Sequence, residues 1–80
     1  MSKFLIGMPV MPLDEIKASW TKVVEASVGS ACKMDQAYIN ESKAQALCCW
    51  NAPDRTTIEG VFAKADVNIE SIEEVVEYTG

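Results

Sequence analysis

Apolar positions recur along the chain at two periods, and the switches between them mark strands and helices in turn. Lys3 to Val10 is a short apolar run closed by Pro9 and Pro12. It reads as a first strand that ends before Pro12, since proline has no N–H to give to a ladder. From Ile16 the period lengthens. Ile16, Trp20, Val23, Val24, Ser27 and Val28 fall on one helical face, with Lys17, Thr21, Lys22 and Glu25 on the other. Asp14 and Glu15 place carboxylates in the first turn, where the helix dipole favours them, and Gly29-Ser30 ends the helix. Lys33 to Asn40 and Ala44 to Asn51 are strand-length runs around the polar Glu41-Ser42-Lys43, which predicts a hairpin. Ala52-Pro53-Asp54 introduces a second helix with Asp54 as its N-cap. Its buried stripe is Ile58, Val61, Phe62 and Ala65, broken at Asp66 and Asn68, and Ser71 to Tyr78 reads as a last strand.

The order is therefore βαββαβ. Two right-handed crossovers of this kind build a four-stranded antiparallel sheet with both helices on one face and the first and third strands in the centre. This is the ferredoxin-like α+β fold, filled by one domain spanning residues 1–80. The central strands carry a further message. Phe4, Ile6 and Met8 alternate with Leu5 and Gly7, and Ala46, Cys48 and Trp50 alternate with Leu47 and Cys49. Neither strand has a clean polar side, yet the helices cover only one face. The other face is expected to bury against a second copy, giving a homodimer of the dimeric α/β-barrel kind.

Composition narrows the partners. The net charge is −5 and histidine is absent, so phosphate-rich partners such as nucleic acid, and anionic membrane surfaces, are disfavoured. Acid gathers at Asp66, Glu70, Glu73, Glu74 and Glu77, which reads as a solvated edge that resists self-pairing. The cysteines are Cys32, Cys48 and Cys49, an odd number with two adjacent. Strand neighbours point to opposite faces, so Cys48 and Cys49 are not expected to bridge, and a secreted disulfide framework is not indicated. The apolar stretch from Phe4 to Leu13 is too short and broken for a membrane span and makes a poor signal peptide, leaving a reducing cytoplasm as the expected location.

The stretch from Ala52 to Val75 resembles a family of small, mostly uncharacterised ferredoxin-like proteins that includes a nickel-binding member. Ala52-Pro53 stands where the family has Ala-Pro before its second helix, Ile58 and Val61 match the helix core, and Ile72, Glu74 and Val75 match the last strand. Cys48 and Tyr38 fall where the family often has a cysteine and an aromatic residue. The gapless match runs from Tyr38 to Val75, roughly half the chain. The resemblance implies the same fold and dimerisation. Phe62 stands in place of the family's helix histidine and Asp66 in place of a glycine, so the imidazole that nickel commonly uses is missing.

Candidate chemistry follows. A metal would have to use Cys32, Cys48, Cys49, Met8, Met11, Met34 and carboxylates, a set suited to a soft ion; lacking Cys-x-x-Cys spacing, the cysteines read rather as small core hydrophobes, and no cofactor is expected. A nucleophilic cysteine lacks a histidine base. Acid–base chemistry would draw on Asp35, Glu74 or Glu77 beside Tyr38 or Tyr78. The leading expectation is a binding protein in which Tyr38, Cys48, Trp50, Phe62 and Met34 line a pocket for a small apolar or aromatic ligand. A cofactor-independent monooxygenase or isomerase and a purely structural module are the alternatives.

Overall fold

The computed structural model describes residues 2–43 and 45–78. Its elements are β1 (Ser2–Gly7), α1 (Leu13–Ala26), β2 (Lys33–Asn40), a 3-10 turn (Glu41–Lys43), β3 (Gln45–Ala52), α2 (Arg55–Lys64) and β4 (Ser71–Val75). The sheet order is β2-β3-β1-β4, every pairing antiparallel, so the predicted ferredoxin-like α+β fold is the observed one. No helix among the described residues is long and apolar enough to cross a membrane.

Local chemistry explains the element ends. β1 stops at Gly7 rather than running on to Val10, because Met8 N–H makes one further bond, to the Ala46 carbonyl, and Pro9 then offers no donor. α1 starts directly after Pro12, whose carbonyl accepts from Glu15 and Ile16 N–H. It ends at Ala26, and Gly29 takes a left-handed φ of 81° in the turn that follows. Val28 therefore lies beyond the helix and is exposed, as is Val24, although both belong to the predicted buried face. The polar link between β2 and β3 is a 3-10 turn in which Ser42 Oγ donates to Asn40 Oδ1. Asp54 caps α2 as expected: one carboxylate oxygen accepts from both Thr57 N–H and Thr57 Oγ1, each at 2.7 Å. At the other end of α2, Asp66 N–H bonds Ala63 O and Val67 N–H bonds Phe62 O, with Asp66 at a left-handed φ of 58°. This is a Schellman closure. β4 ends at Val75, which pairs with Lys3, so residues 76–78 of the predicted last strand lie outside it.

The core forms between the helices and one face of the sheet. Phe4 lies opposite Trp50 and Ile6 opposite Cys48 across the central strands. Ile16 and Val23 of α1 and Ile58, Val61 and Phe62 of α2 close over them. Two layers and no third give a slab of 35 × 32 × 16 Å.

Candidate functional site: the two faces of the sheet

The register assigns each predicted site residue to a face. Cys48, Trp50 and Phe62 lie on the covered side and are almost wholly shut off from solvent. The Trp50 and Phe62 rings meet edge to face with centroids 5.7 Å apart. Trp50 Nε1 donates to Cys48 Sγ at 3.3 Å, and that thiol in turn donates to the Ile6 carbonyl at 3.7 Å. Burial pushes the Cys48 thiol up to about 11, outweighing the Trp50 indole N–H that favours its anion, so it is a neutral thiol at physiological pH. Trp20 Nε1 is turned toward the same sulfur but has no acceptor within hydrogen-bonding reach. Met34, opposite Trp50, packs against this cluster from the edge.

Tyr38 is elsewhere. It pairs with Leu47 on the bare face, where it is 54% exposed and donates its hydroxyl to Gln36 Oε1. The expectation that Tyr38, Cys48, Trp50, Phe62 and Met34 share one pocket is corrected accordingly: four join the packed side and Tyr38 stands on the other. The cause is a bulge in β2 between Met34 and Gln36. Two residues four apart on a regular strand share a face, and one extra residue between them separates them.

The bare face has two ends. Toward one end Tyr38, Leu47, Gly7 and Ser71 form a row across the strands, followed by Gln36, Cys49, Leu5 and Glu73. Gly7 leaves room there for the Ser71 hydroxyl, since a Cβ on it would come 2.6 Å from Ser71 Oγ. Toward the other end Lys3 Nζ holds Asp35 Oδ2 at 2.6 Å and Glu77 Oε1 at 2.8 Å, with its side chain 19% exposed. The bulge frees Asp35 to reach across β3 to Lys3. The hydrogen bond to Asp35, then that to Glu77, holds the Lys3 ammonium well above the usual lysine range.

These contacts place the acid–base candidates. Asp35 and Glu77 are tied to Lys3 at the surface, Glu74 is exposed on β4, and Tyr78 is 90% exposed. Among the described residues none of these groups enters the space between sheet and helices. Lys3 itself was missed by the sequence reading. A cation on a central strand beside Leu5 and Gly7 was the available signal.

The fold overlays on the crystal structure of SCO4226 from Streptomyces coelicolor A3(2) with a TM-score of 0.79, over 96% of this chain and 99% of that one, at 15% identity. At that identity the likeness speaks for the fold. The family model described as nickel responsive protein SCO4226-like matches residues 6–75. The chain belongs to the SCO4226-like family. No curated protein matches it. The resemblance read from Tyr38 onward thus extends back to Ile6.

The family's name raises the question of nickel, and the donors of this SCO4226-like chain do not suit it. There is no imidazole. Cys48 is buried, protonated and engaged with Trp50, while Cys49 points to the opposite face. Among the described residues no three cysteine or carboxylate side chains converge on a point an ion could occupy.

Proposed function

We propose that this SCO4226-like protein is a small homodimeric binding protein whose copies meet through the bare sheet face and hold a small apolar or aromatic ligand at that face. The observation that carries the reading is the contrast between the faces. One is sealed by two helices; the other leaves Leu5, Leu47, Cys49, Tyr38 and Val75 partly open. Such a face is costly to leave in water at about 25 cal/mol per Å² of apolar surface.

The ligand belongs at this face because the space between sheet and helices is filled by Trp50, Phe62 and Cys48. Tyr38 is the contact that reaches it directly. Trp50, Cys48, Phe62 and Met34 support the face from behind by fixing β3 and β2. Nickel recognition stays with the family's name, since the donors here do not match it.

Titration with indole as a probe tests the binding half. Amide and methyl shifts should move at Leu5, Leu47 and Tyr38 and saturate. Shifts confined to the surroundings of Trp50 and Phe62, or no saturable shift, would overturn the placement.

A further inference from the structure

Apart from both sheet faces, an open groove of about 360 Å³ lies where α1 passes the loop after α2. Glu15, Ser19 and Lys22 line one wall. They are spaced four and three residues apart and so share one side of α1. Asp66 lies on the opposite wall, and Met11 and Val67 add an apolar surface. The second wall is held firmly, because the Schellman closure fixes Asp66 and Val67 by backbone bonds to Ala63 and Phe62. Asp66 keeps its left-handed φ of 58° there without being glycine. Ser19 Oγ reaches Met11 Sδ at 4.0 Å, which ties the loop before α1 to the first wall.

The charges in this groove are unspent. The ion pairs formed among the described residues are Lys3 with Asp35 and Glu77, and Arg55 with Glu59; Glu15, Lys22 and Asp66 take part in none of them. One cation therefore faces a groove that also presents two carboxylates. Glu15 and Lys22 are about 10 Å apart along the helix axis. An extended chain of three residues spans about the same distance, at about 3.5 Å each.

We infer that this groove binds a short peptide zwitterion with an apolar side chain. Its terminal ammonium lies between Glu15 and Asp66, its terminal carboxylate at Lys22 and Ser19, and its side chain on Met11 and Val67. The site is independent of dimerisation and of any ligand on the bare face.

The probe is the tripeptide alanyl-leucyl-alanine, compared with its N-acetylated and C-amidated forms, titrated into the full chain while amide shifts are followed. Saturable shifts at Ser19, Lys22 and residues 66–68 are expected. Removing either terminal charge should weaken binding by about two- to five-fold, the worth of an exposed ion pair. Lys22→Met should weaken the free peptide by a similar factor while leaving the amidated peptide unaffected, and Asp66→Asn should do the same with respect to the acetylated one. Both positions are exposed, so the fold is expected to survive, and the unshifted amides of the core verify this in the same spectra. Equal binding of free and blocked peptides, no saturation, or shifts centred on the bare sheet face would overturn the inference.

Discussion

The two faces of this sheet are built from the same strands by simple alternation, and they have opposite characters. On the covered side Phe4, Ile6, Cys48 and Trp50 are sealed under α1 and α2, and the Cys48 thiol there is held neutral. On the bare side the intervening residues Lys3, Leu5, Leu47 and Cys49 mix apolar surface with an ion network that spans the sheet from β2 to the residue after Val76. The difference teaches where chemistry is available. A packed interior at crystal-like density leaves no room for a guest, whereas a half-apolar face without a third layer has surface to give to a partner.

The largest expected effect comes from breaking the covered side. Phe62→Ala removes the ring that closes on Trp50 and should cost about 3–5 kcal/mol of unfolding free energy in a urea titration. Tyr38→Ala, an equally aromatic position on the bare side, should cost under about 1 kcal/mol in the monomer, in the manner of surface substitutions. Equal costs would mean that the faces are not distinct in energy.

Alkaline pH sharpens the same contrast. Cys48 is raised from 9.0 to about 11 in the folded chain, so the unfolded state loses its proton first. Stability is full below pH 9 and should decline as pH rises toward 11, by roughly 2–3 kcal/mol for this group. The Lys3 shift acts in the same direction at still higher pH, because its ammonium is favoured only while Asp35 and Glu77 face it in the fold. In Cys48→Ala the loss between pH 9 and 11 should flatten. An unchanged slope would assign the effect elsewhere.

Cysteine labelling gives a smaller but cleaner readout. Cys49 should react with a thiol reagent in the native state, while Cys32 and Cys48, both buried, should react only on unfolding. If two copies cover the bare face, the Cys49 rate should fall as protein concentration rises. A rate independent of concentration argues against that cover. The smallest change is a control remote from both faces. Ala31 holds a φ of 67°, so Ala31→Gly should stabilise by about 0.5–1 kcal/mol in thermal unfolding.

Much of this was legible in the chain itself. The period switches located every strand and helix, Asp54 announced its cap, and alternation in β1 and β3 separated Phe4, Ile6, Cys48 and Trp50 from Leu5, Leu47 and Cys49. The site was less legible, for a reason that rests on one residue. Met34 and Tyr38 read as same-face neighbours unless the strand contains a bulge, and nothing in Lys33-Met34-Asp35-Gln36 distinguishes a bulged strand from a regular one. The bulge lets Asp35 meet Lys3, two strands away, a long-range contact that the local sequence does not announce. The groove between α1 and Asp66 was hidden similarly, since its walls come from segments more than forty positions apart in the chain.

Pairing of two copies through the bare face is read directly by sedimentation equilibrium. Twice the chain mass of 8.8 kDa is expected at micromolar concentration, and 8.8 kDa for Leu47→Glu, whose charge would be buried against the partner. A wild-type protein that stays at 8.8 kDa, or a Leu47→Glu variant that pairs as well as wild type, would contradict it.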